Sequence, residues 1–194
     1  LSGHGEYPSD NYEFHTHIEA LGGEGGHSHG AAPVVETTGH GVGRFRRSLE
    51  AVGYEIREIT PARDGTIDRR CRVVIDAGPQ TPYSPIESKA LETYLRSGGA
   101  ALLLYDLGFA VAPAHDALLR RLGLSLPAAV VVDSDRHYAS DPKSVAVTAY
   151  ESHPVTRRMS LTFYPGVRPL EAVVPANGIT REPLFASSDG SHRQ

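Results

Sequence analysis

Two His-x-His pairs, His15-Thr16-His17 and His27-Ser28-His29, form the densest group of reactive side chains in the sequence, with His4 and His40 on either side. Imidazole is a good ligand for zinc, copper and nickel at neutral pH. On a strand the two rings of such a pair lie on one face. His15, His17, His27 and His29 could therefore hold zinc or another divalent transition metal, with Glu13, Glu19 or Glu24 adding an oxygen. The surrounding stretch from Gly22 to Ala32 is glycine-rich and shows no period of 2 or 3.6, so a solvated surface loop is its plainer reading.

Other routes to chemistry are thinner. Cys71 is the only cysteine, so neither an internal disulfide nor a cysteine-based zinc cage can form. Its place at the start of a strand suits a small apolar residue better than a nucleophile on a sharp turn. The sequence has no Gly-x-Ser-x-Gly elbow and no phosphate-binding Gly-x-x-x-x-Gly-Lys-Ser/Thr loop. Gly39-His40-Gly41-Val42-Gly43 comes nearest to an anion cradle, but no strong strand leads into it. His137 and His153 sit among polar and turn residues and read as loop-bracing side chains.

The elements that must position such residues follow from periodicity. Val42, Phe45, Leu49 and Val52 recur at helical spacing and end at Gly53, where a left-handed residue closes a helix. Tyr54 to Ile59 alternates like a strand, and Arg72 to Asp76 is the β-branched run of a strand buried on both faces. Gly78-Pro79 breaks it. Ser84 then caps a helix with Glu87 three residues on and Pro85 at the first helical position. Gly98-Gly99 ends that helix, and Ala100 to Tyr105 follows as an apolar strand stopping at Asp106. A further helix over Ala114 to Leu122 stops at Gly123 and leads into a strand over Ala129 to Val132. Beyond Asp135 the pieces are short, such as Ser144 to Thr148, Leu161 to Tyr164 and Leu170 to Val174, with prolines between them.

Helix, glycine and apolar strand in repeated order predict an α/β fold: a three-layer, flavodoxin-like domain with a mainly parallel sheet, helices on both faces and irregular C-terminal strands. Residues 1–186 form one domain with a His/Gly-rich insertion at about 7–38, and residues 187–194 form a tail. In an open parallel sheet, ligands bind beyond the carboxyl ends of the strands, where helix N-termini also point. By that rule His4, Glu6, Gly78, Pro79, Ser84 and Asp106, with Asp133 near them, border one crevice. Turn glycines, a capping serine and solvated strand ends account for the same residues without a ligand.

A family resemblance runs through Gly3-His4-Gly5-Glu6, the Gly78-Pro79 turn, Ser84 through Glu87, Tyr94-Leu95 before Gly98-Gly99, Leu102 to Asp106, Val131-Val132-Asp133 and His153-Pro154-Val155-Thr156. Together they resemble the extracytoplasmic domain of GldG-type auxiliary proteins of ABC transport systems, whose fold is flavodoxin-like or class I glutamine-amidotransferase-like. The resemblance implies a periplasmic location and attachment to the membrane by segments outside this chain. It also implies protein partners in a transport or gliding-type assembly. The histidine- and glycine-rich stretch after Glu6 departs from the family pattern.

Composition narrows the partners further. A net charge of -4 leaves no electrostatic footprint for DNA or RNA. No apolar run reaches the roughly 18 residues of a membrane-spanning helix. The first residue is Leu1 rather than methionine, which fits a domain cut from a longer protein. The expected function is a non-enzymatic binding or scaffolding module that recognises an envelope component, a peptide or a glycan. The alternatives are a metal-binding protein using the histidine-rich loop and a hydrolase pairing Glu6 or Asp106 with His4 as acid and base.

Overall fold

A computed structural model describes residues 1–12, 41–61 and 65–194. The elements run in the order α1 (Gly43–Ala51), β1 (Val73–Ala77), α2 (Pro85–Arg96), β2 (Ala100–Leu104), α3 (Pro113–Arg121), β3 (Leu124–Ser125), β4 (Val131–Val132), β5 (His137–Tyr138), β6 (Asp141–Val147), β7 (Thr162–Pro165), β8 (Glu171–Ala172) and β9 (His192–Arg193).

The best-defined unit is β1-α2-β2. The two strands pair in parallel with Val74 opposite Ala101 and Asp76 opposite Leu103. Side chains alternate across a strand, so Val74, Ala101 and Leu103 share the face on which Leu91 and Tyr94 of α2 and Leu118 of α3 close the core. Tyr94 also ties the end of α2 to both strands, because its hydroxyl donates to the Cys71 carbonyl at 3.0 Å and the Ala100 carbonyl at 3.2 Å. Gly99 is required by that packing: a β-carbon there would lie 2.3 Å from the Tyr94 ring. Glu92 of α2 reaches Arg121 of α3 at 3.2 Å and so pins the two helices together.

The helix starts and stops follow the sequence closely. Ser84 and Glu87 form a reciprocal capping box at the head of α2, with Pro85 in the first turn. Gly53 and Gly123 take positive φ just beyond α1 and α3.

The expected three-layer flavodoxin-like architecture with a mainly parallel sheet is not what forms. Among the described residues parallel pairing is confined to β1 and β2, and the other sheets are small and antiparallel: β3 with β8, β4 with β9, and β5-β6-β7. The reasons are local. Tyr54 to Ile59 alternates in sequence, yet Tyr54, Glu55, Arg57 and Glu58 are exposed and no ladder forms among the described residues, where the Ile59 carbonyl accepts from the Ser2 amide at 3.0 Å. Ala129 to Val132 contributes two strand residues, and these pair with the far end of the chain instead of with β2. Nor is the sheet buried on both faces. Val73, Leu102 and Leu104 are 49%, 40% and 46% exposed, so the face opposite α2 and α3 is only partly covered by the described residues.

The C-terminal residues read as a tail in sequence lie against the body in the structure. β9 pairs with β4, and Ser188 donates through its amide to Asp133 Oδ2 at 2.8 Å and through its hydroxyl to Oδ1 at 2.5 Å.

Candidate functional site

The opening residues Gly3 to Tyr7 run past the carboxyl end of β1 and bring polar side chains against the head of α2. The His4 carbonyl accepts from the amides of Gln80 at 2.7 Å and Thr81 at 3.1 Å, and the Tyr7 amide donates to Ala77 at 2.9 Å. These bonds fix the imidazole of His4, which is 7% exposed, between two carboxylates. Its Nε2 is 3.1 Å from Glu87 Oε1 and its Nδ1 is 3.6 Å from Glu6 Oε1, both ion-pair distances, although neither Nδ1 nor the two carboxylate oxygens is aligned as a hydrogen bond.

Both carboxylates have second duties. Glu6 Oε2 accepts the backbone amide of His4 at 2.8 Å, and Glu87 Oε2 accepts the Ser84 amide at 2.8 Å as half of the capping box. The Ser84 hydroxyl is taken by the Glu87 amide at 3.3 Å. A hydroxyl held this way is not poised as a nucleophile.

Gly78 and Pro79 make the turn at the end of β1. Gly78 has φ +66, and a β-carbon on it would lie 2.4 Å from the Tyr7 ring and 2.9 Å from Asp106 Oδ2. That close approach lets the Tyr7 hydroxyl donate to Asp106 at 2.9 Å. Burial first, and then the Asp106 carboxylate, push the Tyr7 hydroxyl pKa well above its usual value. His4, Glu6 and Glu87 thus form one group; Tyr7, Gly78 and Asp106 form a neighbouring latch; Pro79 is fully buried in the turn between them. Asp133 belongs to neither. It is buried and accepts from Asp135, Arg136 and Ser188; burial would raise its pKa, but those hydrogen bonds outweigh it and hold the carboxyl low.

Sequence reasoning missed the residues behind His4. Tyr83 packs its ring 4.8 Å from His4 and 4.6 Å from His115, while Tyr105 stacks on Phe109 at 5.0 Å. The Tyr105 hydroxyl bonds His115 Nε2 at 2.7 Å. His115 and Asp76 are both 0% exposed. Burial pulls the His115 imidazole down to about 4 and pushes the Asp76 carboxyl up to about 7, with Glu6 adding to the rise for Asp76. Among the described residues neither Asp76 oxygen has a hydrogen-bond partner, and the same holds for Tyr83 Oη and His115 Nδ1. The available signal was an acid inside the apolar run Val73-Val74-Ile75-Asp76-Ala77. Once strand polarity is known, alternation places Asp76 on the same buried face as Val74.

Chemically this is a closed cluster. Among the described residues no hydroxyl or thiol hydrogen-bonds to the His4 ring, and Cys71 lies before β1, at the other end of the strand. No three His, Cys, Asp or Glu side chains among the described residues gather to hold a metal ion. His15, His17, His27 and His29, with Glu13, Glu19 and Glu24, lie outside the described residues. So do the residues of the expected insertion from 13 onward. Among the described residues no helix is long and apolar enough to cross a membrane.

No protein-family model matches the chain, and no curated protein does. Among solved structures, one titled "mmIFT52 N-terminal domain" is similar in fold, with a TM-score of 0.58 and 22% sequence identity over 81% of this chain and 70% of that one. At that identity the likeness is one of fold.

Proposed function

We propose that the chain is a non-enzymatic binding or scaffolding module, one that serves an envelope assembly of the ABC-transport or gliding type through protein partners. The observation that carries the first half is the engagement of His4. An acid and base at work must meet substrate, whereas His4 is enclosed between Glu6 and Glu87, each of which is also engaged by backbone amides. Asp106, the other acid of the hydrolase alternative, is held by Tyr7.

The cluster acts instead as a clamp that fixes the opening loop, the β1 turn and the head of α2 as one rigid end of the sheet. Rigid ends suit recognition. The likeness to an N-terminal domain adds that this kind of fold serves elsewhere as one domain of a longer chain. The envelope setting, periplasmic and anchored through segments beyond this chain, rests on the sequence resemblance.

The test is a turnover panel of chromogenic esters, phosphates and amides, run on the wild type and on His4→Gln and Glu6→Gln. The proposal expects hydrolysis no faster than buffer in all three, with both variants less heat-stable than wild type. Turnover by the wild type that either folded variant abolishes would overturn it.

A further inference from the structure

Phe109 closes the aromatic cluster on one side and borders a cleft of about 580 Å³ on another. Clefts of roughly 300 to 1,000 Å³ are the size that holds a small ligand or a short peptide segment. This one lies among the Asp116 and Arg120 side of α3, residues 125–128, β8 and β9, and it includes three arginines against two carboxylates.

Two of the arginines are already paired: Arg120 with Asp116 at 2.7 Å and Arg193 with Glu171 at 2.9 Å. All four of these side chains are well exposed, so the pairs are weak and exchangeable. Arg168 differs. Its Nε donates to the Pro127 carbonyl at 3.1 Å, its Nη2 to Leu126 at 2.9 Å and its Nη1 to Phe109, and no carboxylate of the described residues stands within ion-pair distance.

Three backbone carbonyls hold the guanidinium rigidly but bring no compensating charge. Donors remain on both terminal nitrogens. Burial lowers the Arg168 pKa, as expected for a cation short of a counter-charge. A planar, fixed guanidinium with two free donors matches a carboxylate in bidentate geometry. Leu126, Pro127 and Val173 supply apolar walls beside it.

We propose that this cleft docks an acidic peptide segment, with one carboxylate on Arg168 and neighbouring apolar residues against Leu126, Pro127 and Val173. This rests on the binding-module reading and gives it a site and a ligand class. Arg120 and Arg193 then serve as rim charges that speed encounter and can trade partners with a second acid.

Fluorescence anisotropy with a labelled hexapeptide of alternating leucine and glutamate tests it, beside the counterpart with glutamine in place of glutamate and with free acetate as competitor. The expected result is saturable binding of the glutamate peptide, at least about tenfold tighter than the glutamine peptide and weakened by salt. It should be lost in Arg168→Gln and reduced several-fold in the double variant Arg120→Gln, Arg193→Gln. Because Arg168 also braces two loops, amide shift mapping on the wild type provides a check that needs no variant, with shifts expected at Phe109, Ala110, Ala128 and Val173.

Equal binding of the two peptides, unchanged binding by a folded Arg168→Gln, no saturation up to millimolar peptide, or shifts confined elsewhere would each overturn the proposal. Acetate displacing the peptide at equal concentration would overturn the peptide assignment in favour of a free carboxylate. Turnover that depends on His4 would sink the non-enzymatic reading and leave these titrations unchanged, so the two failures are separable.

Discussion

Glu87 Oε1 lies 3.1 Å from His4 Nε2 while Glu87 Oε2 accepts the Ser84 amide, so one side chain both caps α2 and holds the opening loop against it. The two duties can be separated by substitution.

Ser84→Ala removes half of the capping box and leaves the ion pair, and it should cost about 1 kcal/mol. Glu87→Ala removes the other half and also takes one of the two carboxylates from the buried His4 ring, which should cost about 2 kcal/mol or more. Urea unfolding of the two variants checks the order. A loss for Glu87→Ala no greater than that for Ser84→Ala would mean that the His4 contact contributes nothing.

Asp76 and His115 should give the fold two opposed pH dependences. The buried Asp76 carboxyl titrates at about 7 against 3.8 when unfolded. The folded state therefore holds a proton that the unfolded state releases, and stability falls as pH rises through that window. The buried His115 imidazole titrates at about 4 against 6.5. The unfolded state there binds the proton first, so stability falls as pH drops from 6.5 toward 4. Each effect is on the order of 3 to 4 kcal/mol. Between pH 4 and 6.5 the two slopes oppose each other. Denaturation across pH should show a shallow profile for wild type. His115→Gln should lose stability as pH rises from 4 to 7, and Asp76→Asn should lose it as pH falls below 6.5. Parallel profiles in all three proteins would contradict the assignment.

Gly78 occupies a position where both space and backbone exclude a side chain. Its φ of +66 disfavours any L-residue, and an added methyl would meet the Tyr7 ring and Asp106. Gly78→Ala should destabilise by about 2 to 4 kcal/mol. Gly53→Ala, at φ +92 with open space around it, should cost only the backbone share, about 1 to 2 kcal/mol. Thermal melts of the pair separate strain from crowding.

Tyr7→Phe keeps the ring over Gly78 and deletes the hydroxyl that donates to Asp106. A loss of about 1 to 2 kcal/mol is expected, since the bond is to an ionisable partner. Adding Asp106→Asn to Tyr7→Phe should then cost little more. A fully additive second loss, read in a double-mutant cycle, would show that the two residues do not act together.

What the sequence disclosed and what it hid divide along physical lines. The box at Ser84 and Glu87, the closing glycines Gly53 and Gly123, and the strands at Val73 and Ala100 carry short-range signals, because caps and positive-φ stops depend on residues within one turn. The grouping of His4 and Glu6 with the turn at Gly78 was expected from the carboxyl ends of a mainly parallel sheet, whereas parallel pairing among the described residues joins only β1 and β2. Pairing partners were hidden. β4 meets β9 and β3 meets β8 through strands of two residues, too short to show any period. The run Ala100 to Leu104 is apolar throughout, yet such composition does not tell whether a second layer covers Leu102 and Leu104. Asp76 was hidden by its position at the end of an apolar strand, where an acid normally meets water.

The central claim, that His4 is a clamp sealed from solvent, is tested most directly by diethyl pyrocarbonate labelling of the native protein with the modified peptides read by mass spectrometry. His153, a third exposed in its side chain, and the exposed His192 provide internal standards. The account predicts that both react while His4 stays unmodified until the protein is unfolded. Labelling of native His4 at the rate of His153 would contradict it.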